Sequence, residues 1–276
     1  MEQADIAVGQ PSVESVLNAK RLRWLQITSA GITRYDTPEF RAAAKDRGLI
    51  VTNSSAVYEE ACAEHVFSFM LAQARQLPVG LANRFPNGSP EWNALRHASR
   101  CLVGEKVVIL GFGAIAARLI EILTPFRMEV IAMRRQPRGD EGVPIVTEEN
   151  LAPALAEADH VINILPDNPA SVGFISKERL AQLKPGAILY NIGRGTTVVQ
   201  DALAESLTSG HLAAAWLDVT DPEPLPEGHP LLSIPTCHIT PHTAGGHRNE
   251  SETQVRHFLD NLERFSNGKP LRNQVM

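Results

Sequence analysis

The chain has 276 residues, 43% of them hydrophobic and 21% charged, with a formal charge of −5. That length suits one large or two smaller globular domains, and the absence of a basic block argues against a nucleic-acid groove. No apolar run approaches the roughly 20 residues of a membrane span, so no membrane partner is expected. In chain order, "DIAVG", "WLQITS" and "LIVTN" predict three short strands with helical stretches between them. The start, MEQADIAVGQ, has no basic segment ahead of an apolar one and does not read as a secretory signal. Glu59 to about Gln76 predicts one long helix, with Ala63, Val66, Phe67, Met70 and Leu71 at helical spacing. The Gly/Pro/Asn-rich "PVGLANRFPNGSPEW" is expected to be a linker or a subunit-contact arm. Next, "KVVILGFGAIAARLIEIL" predicts strand, glycine turn and helix. "EVIAM", "HVINIL", "AILYNI", "AAAWLDV" and "CHIT" predict further strands, and a last helix over about Arg248 to Asn267 could return to the first domain. This alternation implies an α/β fold with parallel sheet. Cys62, Cys101 and Cys237 are odd in number and lack CxxC spacing, which points to reduced cytoplasmic thiols rather than a disulfide framework or a metal site.

The turn Gly111-Phe112-Gly113-Ala114-Ile115-Ala116 fits the GxGxxA pattern. In that pattern the first glycine makes the tight turn, the second lets backbone approach a pyrophosphate, and the small third residue allows close helix–strand packing. The helix beginning at Ala114 and Ile115 then offers free N–H groups and positive dipole to phosphates. The pattern alone is weak, since an ordinary βα turn can carry it; its place between a strand and a helix favours a dinucleotide. The acid that would hold the adenosine ribose is expected about 20 residues on. Arg134 stands there, followed by Arg135. A planar guanidinium suits phosphate oxygens, so the coenzyme expected is NADP, with NAD as the other candidate. The competing reading is that both arginines are solvated strand-end charges.

Three segments of the second half end strands in polar residues: "YNIGRGTTV" with Arg194, "WLDVTDPEPLPEGHPL" with Asp218 and Glu223, and "HITPHTAGG" with His242. Open α/β sheets bind ligands at the carboxyl ends of their strands. Reduction of a 2-keto acid needs a hydride, a proton donor and a cation for the carboxylate and developing alkoxide. Histidine can serve as the donor, a carboxylate can orient it, and arginine supplies the charge. Taken singly, each of Arg194, Glu223 and His242 could equally be structural, because nothing local shows that they converge. His211, His229, His247 and His257 have no comparable setting and read as structural or surface groups.

At this point the order of segments resembles the D-isomer-specific 2-hydroxyacid dehydrogenases over nearly the whole chain. "SAGITRYDTPEF" is similar to that family's substrate loop, "AEHVFSFMLA" to its interdomain helix and "GFGAIA" to its coenzyme turn. "LKPGAILYNIGRG", "AAAWLDVTDPEPLPEGHPL" and "ITPHTAGG" resemble its remaining signatures. The resemblance implies Arg194 as the substrate-binding and polarising arginine, Glu223 as the histidine's partner and His242 as general acid/base. It implies that Ala30 and Gly31 offer backbone amides to a substrate carboxylate and that Asp218 meets the nicotinamide carboxamide. Leu165 and Pro166 would border the adenosine, with Ile192, Gly193 and Gly245 also on the coenzyme.

The implied architecture is two Rossmann-like domains: a doubly wound parallel-sheet coenzyme domain over 77–246, and a smaller flavodoxin-like substrate domain from 1–76 and 247–276. Two departures stand out. Arg134 replaces the acid common in NAD-dependent members, as in NADP-using glyoxylate/hydroxypyruvate reductases. The amino end is also short, so a central strand expected beside "DIAVG" is missing and backbone groups there would be unpaired. The function implied is NADP(H)-dependent interconversion of small 2-keto and 2-hydroxy acids by a cytoplasmic homodimer. The alternatives are a coenzyme-binding, corepressor-like redox sensor and an inactive truncated member.

Overall fold

Where aliphatic residues run without interruption, the chain forms strands buried on both faces, as parallel sheets require. Val107, Val108, Ile109 and Leu110, for example, are each no more than 1% exposed. The computed structural model describes residues 3–276. It divides into two units: one runs to Glu60 and takes in Asp167–Pro169 and Gly246–Met276, and the other comprises Ala61–Pro166 and Ala170–Gly245. The long helix spans Ser55–Ala74, four residues earlier at its start than the sequence pattern indicated, and contributes residues to both units.

The first unit holds a parallel sheet of three strands in the order β1 (Ile6–Val8), β2 (Trp24–Gln26) and β3 (Ile50–Thr52). The helix Pro38–Arg47 between β2 and β3 starts where Thr37 accepts from Phe40 N and ends at Gly48, whose φ of +63° is left-handed. β2 is buried along its whole length. The last helix, Glu250–Ser266, stacks Phe258 and Phe265 on the Trp24 ring at 5.4 and 5.5 Å. Trp24 Nε1 in turn donates to Thr52 Oγ1 at 2.8 Å, and the buried Asn261 donates to Gln26 Oε1 at 3.2 Å. The C-terminal residues then run along β3, where Val275 N donates to Val51 O at 2.8 Å. β1 is the opposite edge; among the described residues no strand lies on its outer side, and Val8 is half-exposed.

The second unit holds seven parallel strands: β4 (Lys106–Leu110), β5 (Glu129–Met133), β6 (Ile145–Val146), β7 (His160–Asn163), β8 (Ile188–Asn191), β9 (Ala214–Leu217) and β10 (Cys237–Ile239). Their spatial order is β10-β9-β8-β7-β4-β5-β6. Chain order reverses between β4 and β7, the point at which doubly wound sheets open a crevice for ligands. The expected α/β class with parallel sheets is therefore found in both units. The two-residue β6 escaped the sequence reading because it is too short to show a period. The stretch expected to be a linker or a subunit-contact arm forms the helices Leu77–Ala82 and Pro90–Ala98. Ser89 caps the second by accepting from Trp92 N, with Pro90 in its first turn, so a helix-start signal lay inside what looked like loop composition.

The Trp24 stack ties β2 to the C-terminal helix. Trp24→Ala should lower the unfolding free energy by about 3–5 kcal/mol, the range for deleting a buried aromatic. Trp24→Phe should lower it less, as read by urea titration with circular dichroism.

Candidate active site

The coenzyme turn follows β4 directly. Gly111 has φ +99°, a conformation that favours glycine, and a Cβ on it would sit tightly, 3.3 Å from Ile164 O. Gly113 is different: its backbone is extended and a Cβ would meet nothing within 4 Å. Open space therefore faces the start of the helix Ala114–Leu123, which no side chain caps. Ala116 is fully buried against the sheet. Beside this turn lies a cavity of about 520 Å³ lined by Gly111, Phe112, Met133, Arg134, Arg135, Gln136, Arg138, Leu165 and Pro166. An uncapped helix start and room above Gly113 fit the pyrophosphate of a dinucleotide.

The Arg194 turn is held from beneath by a buried polar relay. Asn163 Nδ2 donates to Asn191 Oδ1 at 2.8 Å and to Thr197 Oγ1 at 2.6 Å. Asn191 Nδ2 and Thr197 Oγ1 donate to Arg194 O at 3.1 and 2.6 Å. Two glycines let the turn touch its neighbours. A Cβ on Gly193 would stand 2.7 Å from Leu165 O, and one on Gly195 only 1.9 Å from Thr220 O. Ile192 is buried below, and the half-buried Arg194 donates from Nη1 to Gly193 O at 2.7 Å.

His242 and Glu223 meet. His242 Nδ1 lies 2.8 Å from Glu223 Oε2, while Glu223 Oε1 accepts from Thr220 N at 3.1 Å. An ionised carboxylate only accepts, so opposite one Nδ1 would carry the hydrogen. His242 has φ +51°, an uncommon conformation for a non-glycine residue, and its amide donates to Asp218 O at 2.9 Å. The Asp218 side chain is buried among donors: Oδ1 accepts from Thr240 Oγ1 at 2.6 Å and Thr243 N at 2.8 Å, and Oδ2 from Ala244 N at 2.8 Å. Gly245 follows, half-buried. Among the described residues no hydrogen bond joins Arg194 to Glu223 or His242. Ala30 and Gly31 belong to the first unit, where Asn53 Nδ2 donates to Ala30 O at 2.7 Å and Ser29 Oγ to Gly31 O at 2.7 Å.

Residues 67–244 match the family described as D-isomer specific 2-hydroxyacid dehydrogenase, NAD binding domain. The chain belongs to the D-isomer specific 2-hydroxyacid dehydrogenases. It is 32% identical over 256 residues to the glyoxylate reductase/hydroxypyruvate reductase of Homo sapiens, covering 92% of this chain and 77% of that one. With its counterpart from Mus musculus it shares 34% over 223 residues, covering 80% and 67%. Among solved structures, a D-isomer specific 2-hydroxyacid dehydrogenase from Xanthobacter autotrophicus Py2 in complex with NADPH and MES aligns with a TM-score of 0.82. Identity there is 29%, over 100% of this chain and 84% of that one. The protein is thus an oxidoreductase moving a hydride between a nicotinamide coenzyme and 2-keto or 2-hydroxy acids, which favours the enzyme over the regulator and inactive alternatives. No helix among the described residues of this dehydrogenase is long and apolar enough to cross a membrane.

Sequence reasoning passed over His65, whose Nε2 lies 3.3 Å from Thr240 Oγ1 and 3.6 Å from Asp218 Oδ1. Burial pushes its imidazole below the ordinary histidine range, against an upward pull from Asp218. It also passed over Asn163, Asn191, Thr197 and Asn53; the available signal was asparagine closing otherwise apolar strands. His211, His229 and His257 each bond a backbone group.

The contact at Gly195 gives a direct test. Gly195→Ala must push the Arg194 turn off Thr220, so thermal scanning should show a lowered Tm. Turnover should fall more steeply than coenzyme affinity, because the glycine turn at Gly111 is untouched.

Proposed function

We propose that this dehydrogenase reduces small 2-keto acids of the glyoxylate and hydroxypyruvate class, with NADPH as the preferred hydride donor. The observation that carries the reading is the 2.8 Å contact of His242 with Glu223 at the carboxyl end of the sheet. The human and mouse relatives, both glyoxylate reductase/hydroxypyruvate reductases by name, support the substrate class. The three-arginine cavity supports the coenzyme.

The roles proposed for the chain's own groups are those the family resemblance implies, with the His242–Glu223 contact as their geometric support. A bound reduced nicotinamide would supply the hydride that the carbonyl carbon receives. His242, oriented through Nδ1 by Glu223, gives a proton from Nε2 to the carbonyl oxygen and takes it back in the reverse direction. Arg194 binds the substrate carboxylate and stabilises the developing alkoxide, its turn stiffened by Asn191 and Thr197. Asp218 pins the His242 segment; its Oδ2, with one amide donor, keeps capacity to accept from the nicotinamide carboxamide. Gly111, Gly113, Ala114 and Ile115 form the pyrophosphate turn, Leu165 and Pro166 border adenosine, and Ile192, Gly193 and Gly245 adjoin the nicotinamide half. The first unit is assigned substrate binding through the amides of Ala30 and Gly31, and the second is assigned coenzyme binding. The arm over Leu77–Ala82, with Leu77, Val79 and Leu81 exposed, is the contact proposed for a cytoplasmic homodimer.

A panel of 2-keto acids assayed with both coenzymes is the decisive experiment. Glyoxylate and hydroxypyruvate should be turned over faster than bulkier 2-keto acids. His242→Ala should lower kcat by about 10²–10⁴ with coenzyme still bound, the loss expected for general acid catalysis. Near-normal turnover of that variant would sink the assignment. Arg194→Ala should also raise KM for the keto acid. NADPH should bind about 10- to 100-fold tighter than NADH, from charge-assisted bonds at a partly exposed rim. Added salt should shrink that preference, and Arg135→Ala should weaken NADPH alone. Equal affinities for the two coenzymes would return the arginines to solvated charges.

A further inference from the structure

The arginine that ends β5 is gripped from two sides. Arg134 Nη1 donates to Glu141 Oε1 at 3.2 Å, and its guanidinium carbon lies 5.6 Å from the centre of the Phe112 ring, inside the coenzyme turn. Glu141 also closes the loop that carries the other two arginines. Its Oε1 accepts from Arg138 N at 2.7 Å and its Oε2 from Gly139 N at 2.8 Å. The Glu141 side chain is only 2% exposed, while Arg135 and Arg138 are exposed and line the same cavity as Arg134. The Arg138 amide is the largest influence holding the Glu141 carboxyl below the usual glutamate range, so it is an anion at neutral pH.

A carboxylate beside a coenzyme cavity could do one of two things. It could accept the ribose hydroxyls, as the acid absent from position 134 would, or it could act on the protein alone. Its burial and its three protein donors decide for the second, since both oxygens are engaged away from solvent. A buried anion held by two amides and one guanidinium fixes a short loop in one shape. That shape points three cations at one volume before any ligand arrives, which lowers the ordering cost of binding.

We infer that Glu141 is a positioning residue for coenzyme choice: it clamps Arg134 and the 134–141 loop so that Arg134, Arg135 and Arg138 form a ready-made site for a ribose 2′-phosphate. Arg138 is the third cation of that site. The inference rests on the proposed preference for NADPH and goes beyond it by naming what builds the preference. One donor of Arg134 goes to Glu141 and its guanidinium lies over the Phe112 ring, leaving other N–H groups for phosphate oxygens.

The test is fluorescence titration of NADPH and NADH, with calorimetry of ADP-ribose and its 2′-phosphate as ligands that need no turnover. Wild type, Glu141→Gln, Glu141→Asp and Arg138→Ala are compared. Glu141→Gln should weaken the two 2′-phosphorylated ligands roughly tenfold, the fold-change of one charge-assisted bond, and spare the other two. Arg138→Ala, at an exposed side chain that leaves the loop's hydrogen bonds intact, should act in the same direction. Glu141→Asp should recover part of the loss. A wild-type preference that survives Glu141→Gln overturns the clamp alone, as does equal weakening of all four ligands. Equal wild-type affinities overturn the coenzyme reading and the clamp with it.

Discussion

The site depends on backbone meeting backbone at Gly193 and Gly195. On one side the turn that carries Arg194 lies against Leu165, on the other against Thr220, at distances no Cβ could share. Three loops from the ends of three strands are thereby locked to one another without side chains between them. Interfaces so close behave as rigid units, because a sub-ångström displacement already produces overlap. The polar relay Asn163–Asn191–Thr197 fixes the same turn from beneath, where a buried, fully satisfied network gives a single geometry. Leu165 thus takes part in holding the arginine turn and also lines the arginine-rich cavity.

Asp218 performs the corresponding task for the histidine segment. One carboxylate gathers Thr240 Oγ1 and the amides of Thr243 and Ala244, and the Asp218 carbonyl takes the His242 amide. That many constraints can hold His242 in a left-handed conformation it would rarely adopt alone. In that conformation the ring meets Glu223 through Nδ1, and among the described residues its Nε2 makes no hydrogen bond. Glu223 is itself fixed by Thr220, the residue against which Gly195 packs, so the arginine turn and the histidine pair share an anchor.

At the other end of the crevice, electrostatics replaces close packing. Arg134, Arg135 and Arg138 concentrate positive charge in a chain whose overall charge is −5. Such a cluster is costly to assemble unless an anion offsets it, and Glu141 is the buried anion within it. The reversal of strand order between β4 and β7 sets where this cluster can act, since the glycine turn after β4 and Leu165 after β7 flank it.

Much of this was legible in the sequence. Uninterrupted apolar runs such as "KVVIL" and "HVIN" marked strands buried on both faces, and Gly111, with its demand for positive φ, marked the turn. The arginines at 134 and 135 announced a charge opposite to the usual one because strand and turn together fixed where to count. Other features had no local signature. "SPEW" carried a helix start inside loop composition, and β6 is two residues long. Glu141 has no such signature either, since its contacts arise only where the turn folds its carboxylate back onto Arg138, Gly139 and Arg134. The meeting of His242 with Glu223, and of Gly195 with Thr220, joins residues 19 and 25 positions apart through strand ends that only sheet order brings side by side. Sequence thus determined which residues could form strands, turns and charge, because those follow from neighbours along the chain. Tertiary structure decided which of them act together, because hydrogen bonds and steric contacts between loops depend on strand register and order rather than on local composition.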